Sequence, residues 1–371
     1  MIKLHVVQAE YGDCFILESK QGKESTTILI DGGPYQTFEK HLKPTLQKLP
    51  PSSKLDLVVL SHIDNDHIIG LLDLLDEIKT QREKGIRELV KIGKLWHNSF
   101  NDLLQIDVEP KKFFKNIFQT QNLLSKKEEE KKEKIIASII MKGFQQGKDL
   151  ALLANSLKIS INPGFQKLFV VNDAVKTVQL KNVTFYMLGP TKKNLNKLRE
   201  EWKDWLSGKK LITNSEFELF QILDKSIPNL ASIMFLAEIK NKKILFTGDG
   251  LGEDVISVLS KNGMLDKQGK IHVDVVKVPH HGSDRNVSKE FFNTVNADYY
   301  LISANGRDDN PSLATLKWII ESEHQSKNAK KIVLTNKTPN ILKVLKEYDQ
   351  KKFNYKCIIL GKREDFFTIN L

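Results

Sequence analysis

Leu57-Val58-Val59-Leu60 is an apolar run that stops at Ser61-His62-Ile63-Asp64-Asn65-Asp66-His67, and a second apolar pattern (Ile68, Ile69, Leu71, Leu72, Leu74, Leu75) follows at once. The first run reads as a buried strand and the second as one face of a helix. Four side chains able to bind divalent metals fall within six residues at the handover between them. Charged groups at the end of a buried strand must be paired or hold a cation, because leaving them bare in an apolar setting costs too much. The rest of the chain is therefore read as what closes and covers this cluster.

Before the cluster, residues 2–7 read as a strand, Tyr11-Gly12-Asp13 as a turn, and Cys14-Phe15-Ile16-Leu17 as the return strand. Thr26–Ile30 is a third strand, ending in the tight break Asp31-Gly32-Gly33-Pro34. A helix over 36–49 is stopped by Pro50-Pro51; strand 55–60 and helix 67–79 flank the cluster. From about 98 to 230 the pattern turns helical and Lys-rich, with one clear strand at 183–188. The charge run Ser125–Lys134 reads as a solvated helix face or lid, and Trp202 and Trp205 as packing residues at helical spacing. Alternation resumes at 231–236, 243–250 and 273–278, then 298–303 and 331–334, with helices about 311–323 and 338–347 and closing strands 355–360 and 366–370. This order predicts one α/β domain over 1–371: two sheets packed face to face, helices outside, and a largely helical insertion or lid at about 98–230.

Two of these later strands end in the same chemistry. Lys243–Phe246 runs through Thr247-Gly248 to Asp249, and Val273–Val278 runs into Pro279-His280-His281-Gly282-Ser283. Taken singly, each is ordinary: a buried Asp often caps a helix, and His-His-Gly can be a turn. At three apolar strand ends in one chain they predict a shared metal site. His62 and Asp64, alternating on an extended loop, can grip one ion while Asp66 and His67 face a neighbouring position; Asp249 can bridge the two, and one of His280 and His281 can join them. Imidazoles and carboxylates together suit Zn²⁺, Mn²⁺ or Fe.

These stretches resemble the metallo-β-lactamase-fold hydrolases, and within them the branch containing the soluble domain of the DNA-uptake competence protein ComEC. The resemblance rests on His5–Cys14, Leu29–Gly33, Ser61–Gly70, Ile244–Asp249 and Lys277–Ser283, and spans about 1–97 and 230–335. It implies a four-layer αββα sandwich with two divalent ions at one edge. Zn²⁺ is the first expectation and Mn²⁺ a competitor, since Asp64 stands where the wider superfamily carries His. It further implies His62 and Asp64 on the first ion, Asp66 and His67 on the second, Asp249 bridging, and His280 or His281 completing the second site. Asp31 is implied to orient a ligand imidazole, and Ser283 and Asn305 to line the rim. Where the superfamily often has a further His, this chain reads Ile227-Pro228-Asn229-Leu230, and the Asn229 carbonyl is the available stand-in.

Two ions sharing a carboxylate also share a water, and metal binding can lower its pKa from about 15.7 towards ~7. The expected activity is hydrolysis by that hydroxide, with Asp66, His280 and His281 nearest the chemistry. A net charge of +11 over 371 residues favours an anionic substrate, with phosphodiesters and nucleic acid first. Small esters, thioesters and lactones form an alternative substrate class on the same fold. A non-catalytic sensor, or a subunit of a larger assembly such as an anti-phage system, is the competing reading, with the helical insertion as a surface for a protein partner. Two cysteines, Cys14 and Cys357, fit a reducing cytoplasm, and Cys14 reads as a small core residue. No stretch has the length and apolarity of a membrane span, and Met1–Leu4 starts a strand-like run, not an apolar leader.

Overall fold

The computed structural model describes residues 1–49, 54–98, 143, 145–165, 169–171, 174–206 (backbone alone from 201), 229–324, 328–361 and 364–371. The charge run 125–134 and the side chains of Trp202 and Trp205 lie outside these residues. In chain order come β1 (Ile2–Val7), β2 (Phe15–Gln21), β3 (Glu24–Ile30), α1 (Lys43–Lys48), β4 (Lys54–Leu55), β5 (Leu57–Val59), α2 (Asn65–Glu83), β6 (Lys91–Ile92) and β7 (Lys94–Trp96). Helix α3 (145–156), β8 (Ser160–Ile161), β9 (Lys176–Leu180), β10 (Val183–Gly189) and α4 (Lys192–Leu206) follow. Then β11 (Met234–Ile239), β12 (Lys242–Phe246), α5 (Gly252–Lys261), β13 (Ile271–Lys277), α6 (Lys289–Thr294) and β14 (Val295–Ile302). The chain closes with α7 (Leu313–Glu321), β15 (Lys330–Leu334), α8 (Pro339–Glu347), β16 (Tyr355–Ile359) and β17 (Phe366–Asn370).

One sheet runs β17-β1-β2-β3-β5-β7-β8 and the other β16-β15-β14-β13-β12-β11-β10-β9. The period-2 alternation decides how they pack. Leu4, Val6, Phe15, Leu17, Ile28, Ile30, Leu57 and Val59 face the second sheet and share a core with Phe185, Phe235, Phe246 and Val275. Their neighbours Val7, Ile16, Leu29 and Val58 point the other way, onto Leu71, Leu74 and Leu75 of α2. Val255 of α5, Phe291 of α6, Leu316 of α7 and Ile341 of α8 cover the outer face of the second sheet. The result is the expected αββα sandwich, a sheet-on-sheet core with helices on both outsides. Cys14 is buried as expected, on the face of the first sheet that packs against α2, and burial pushes its thiol well above the ordinary range. Among the described residues, no helix is long and apolar enough to cross a membrane.

The stretch expected as a helical insertion is only partly separate. Within 98–230, β8 extends the first sheet beside β7, and the β9–β10 hairpin forms the edge of the second beside β11. The near-polar sequence Lys176-Thr177-Val178-Gln179-Leu180 hides an edge strand, because only one neighbour and one face need be apolar there. Other boundaries moved by a few residues. The expected strand 55–60 splits into β4 and β5, and the strand expected from 231 begins at Met234 after a 3₁₀ turn over Asn229–Ala231. Helix α2 starts at Asn65, ahead of the apolar pattern that announces it, which changes the reading of the site.

Candidate metal centre

Asp64 is the N-cap of α2, yet its side chain makes no capping hydrogen bond and stays turned to the site, 3.5 Å from His62 Nε2. Asp66 and His67 therefore sit in the first helical turn and not on an extended loop, which corrects the expected geometry. Two glycines make this placement possible by close approach. A Cβ on Gly70 would lie 1.9 Å from the Gly32 carbonyl oxygen, and one on Gly12 would lie 2.0 Å from that of Asp66. The bare backbones let Gly32 N–H reach His67 O at 2.8 Å and Asp13 N–H reach Asp66 O at 3.2 Å. The loops after β1 and β3 thus clamp the start of α2.

From the second sheet, the turn after β12 brings in Asp249 and the turn after β13 brings in His280 and His281. Both histidines have left-handed backbones, with φ of 46° and 54°. Non-glycine residues there carry strain of about 1–3 kcal/mol each, and such strain persists where the surroundings fix it. Here His280 N–H bonds Gly248 O at 3.2 Å and Ser283 N–H closes the turn on His280 O at 2.9 Å.

All four imidazoles aim Nε2 at one atom. Asp249 Oδ2 lies 3.3 Å from His281, 3.4 Å from His67, and 3.7 Å from both His62 and His280. The network also assigns their tautomers. His67 Nδ1–H donates to Asp31 Oδ2 at 2.9 Å, and His281 Nδ1–H to Ser303 O at 2.9 Å. Asn286 spends its Nδ2 on Asp249 O at 2.8 Å, so its Oδ1 accepts from His280 Nδ1–H at 2.6 Å. Ser61 Oγ donates to Asp31 Oδ2 at 2.7 Å and accepts from His62 Nδ1–H at 3.0 Å. With every Nδ1 a donor, four Nε2 lone pairs converge on a carboxylate oxygen. The Nε2 atoms of His62, His67 and His281 are buried with no hydrogen-bond partner. Several imidazole nitrogens aimed at one carboxylate oxygen are what a divalent-cation site requires. The donor set fits.

Without a cation, protons are the remaining source of positive charge. Burial works against charging His67 and His281, yet Asp249 with Asp66 and Asp31 beside His67, and Asp249 with Asp13 beside His281, hold both well above the usual histidine range. Burial pushes the Asp249 and Asp66 carboxyls up, and their cationic neighbours overcome it and hold both below the ordinary value.

Residues 8–138 match the model of the metallo-beta-lactamase superfamily. Over these residues the sequence is similar to that superfamily. No curated protein matches it. Among solved structures, it is similar to the metallo-beta-lactamase fold protein YhfI from Bacillus subtilis at 11% identity and a TM-score of 0.42, covering 100% of this chain and 99% of that one. Zn²⁺-bound PqqB from Methylobacterium extorquens follows at 9% identity and 0.42, covering 100% of both chains. A diphosphatase of the PhnP family shows 9% identity and 0.39, covering 100% of this chain and 98% of that one.

The residues at the strand ends of the two sheets meet in two unequal halves. Asp66, His67, Asp249 and His281 place one ligand atom each within 4.8 Å of one another. This puts His281, the second histidine of its pair, in the more buried half. His62, Asp64 and His280 make the other half, where the Asp64 side chain is 33% exposed and that of His280 18%. Asp31 accepts from His67 Nδ1–H, and it also accepts Ser61 N–H at 2.7 Å. Asn229 is buried in the 3₁₀ turn before Ser232, whose hydroxyl accepts Asp249 N–H at 3.2 Å. Ser283 is buried too, and its hydroxyl accepts Arg285 N–H at 3.4 Å within the turn. Asn305 holds Glu10 at 3.2 Å, close to where Arg307 stacks on Tyr11 at 4.4 Å.

Sequence reasoning passed over Asp13, Asn286 and above all Lys277. Lys277 ends β13 with its side chain 1% exposed, and Asp13 is equally buried. Burial disfavours its charge, but Asp13 and Asp249 outweigh that and raise it above the usual lysine range. The signal that could have found it is position: a lysine inside the otherwise apolar Val275–Val278, two residues before Pro279-His280-His281.

Proposed function

We propose that this protein is a metal-dependent hydrolase of phosphodiesters, with nucleic acid the first substrate class. The observation that carries the hydrolase reading is the convergence of four imidazole Nε2 atoms on Asp249 Oδ2 at 3.3–3.7 Å. Asp66, His67 and His281 with Asp249 would hold one ion, and His62 and Asp64 with Asp249 another. Bound divalent ions supply an acidified water and neutralise charge on an attacked oxygen. The protein's own part is orientation. Asp31, Ser303, Ser61 and Asn286 hold each ring in the tautomer that presents a lone pair. His280, the more exposed of its pair, faces the open side with that lone pair available to take a proton from the attacking water, and as imidazolium it can return one to the leaving group.

The phosphodiester preference is supported by the +11 net charge, by the motif resemblance to the ComEC branch, and by the exposed Arg307 on Tyr11 beside the Asp13 turn. The test is hydrolysis of bis-p-nitrophenyl phosphate and of single- and double-stranded nucleic acid, with Zn²⁺ and then Mn²⁺. The expected result is turnover that Asp249→Ala abolishes. Metal binding without such turnover would leave the non-catalytic sensor reading, and turnover of thioesters or lactones alone would move the substrate class.

A further inference from the structure

Lys277 has no place in the hydrolytic steps, yet its surroundings are built around it. An ammonium carries three N–H donors. Lys277 Nζ uses them on Gly248 O at 2.6 Å, Asp13 Oδ2 at 2.5 Å and Asp249 Oδ1 at 3.2 Å. The contact to Asp249 falls on Oδ1, whereas the contacts of all four Nε2 atoms fall on Oδ2. Asp13 in turn is braced by its own backbone, through Asp13 N–H to Asp66 O and Ser303 Oγ to Gly12 O. The lysine is held at three points with its side chain 1% exposed, so swinging away from Oδ1 would cost two buried carboxylates their ammonium partner.

We propose that Lys277 is a positioning residue that fixes how Asp249 binds metal. By occupying Oδ1 it leaves Oδ2 as the one atom open to cations, so the carboxylate is shared between two ions instead of closing on one with both oxygens. This rests on the reading of Asp249 as a bridge. The charges agree with it. Asp13, Asp31, Asp64, Asp66 and Asp249 set five carboxylates against the one ammonium of Lys277, leaving four negative charges with neutral imidazoles, the charge that two divalent cations cancel.

The experiment is titration of metal-stripped wild type, K277M and D13N with Mn²⁺, followed by calorimetry and by electron paramagnetic resonance. Wild type is expected to take two ions per chain and to show the exchange-coupled signal of a bridged pair. K277M is expected to keep the first ion, to bind the second about 10–100-fold more weakly, and to lose the coupled signal. D13N, which leaves Lys277 on Asp249, is expected to keep both ions and the coupling. A purely structural lysine would lower the melting temperature and leave the ion count and coupling unchanged. Should K277M fold only in the presence of metal, ion content after dialysis decides: one per chain is expected, and two would overturn the proposal. Two coupled ions in K277M overturn the role of Lys277 alone, whereas fewer than two in wild type overturn the bridged site itself.

Discussion

The two halves of the centre are built to different standards. In the half formed by Asp66, His67 and His281, both rings are buried, and their Nδ1 atoms are held by Asp31 and by a main-chain carbonyl. In the half formed by His62, Asp64 and His280, two of three side chains are partly exposed, and the Nδ1 partners are the hydroxyl of Ser61 and the amide of Asn286. A charged acceptor in a dry setting, as Asp31 is for His67, fixes an imidazole more firmly than a neutral one. The buried half should therefore bind its ion first and tightly, and the open half should exchange its ion and meet the substrate.

The largest effect expected is that of Asp249→Ala, which removes the atom both halves share. Metal analysis should show both ions lost, with turnover down by about 10²–10³ or more. Asp64→Ala should separate the halves: one ion per chain by elemental analysis, with the tight ion unmoved. Loss of the tight ion instead would reverse the ranking. Asp31→Asn should weaken the tight ion by about 10–100-fold in a competition titration and spare the weak one.

The halves should also differ with pH. His67 and His281 are held protonated well above the usual histidine range in the metal-free protein, so an ion entering the buried half displaces protons. Its affinity should climb through the neutral range, about tenfold per pH unit for each proton displaced. The sign for folding is opposite. The raised values stabilise the metal-free protein fully below the unfolded histidine value, and this is lost as pH rises through the folded ones. Metal affinity flat between pH 6 and about 8 would contradict the assignment. Smallest in its effect on chemistry, though not on folding, is Phe235→Ala in the sheet-on-sheet core. It should cost about 3–5 kcal/mol by denaturant melt without changing the ion count.

Much of this cluster was legible in the sequence because its polar residues end apolar runs. His62, Asp64, Asp66, His67, Asp249 and the His280-His281 pair stand where a buried strand stops, a position with few other uses for so many polar groups. Asp31 was found the same way. Asp13 and Lys277 were not, since each makes sense only beside the other and 264 residues separate them. In a chain with 57 Lys and Arg, one more lysine reads as surface. The different exposure of His280 and His281 was likewise hidden, because it depends on a turn of two left-handed residues that the pair of letters does not announce. The sheet contributions of β8 and β9 were missed because short or edge strands need little apolar surface.

The central claim is that Asp249 is shared by two ions in unequal halves. Its most direct test is the metal content of wild-type protein reconstituted with excess Zn²⁺ or Mn²⁺ and then dialysed in steps. Two ions per chain, leaving one after the other and both absent from Asp249→Ala, is the predicted result. No bound metal at any step, or two ions retained by Asp249→Ala, would contradict it.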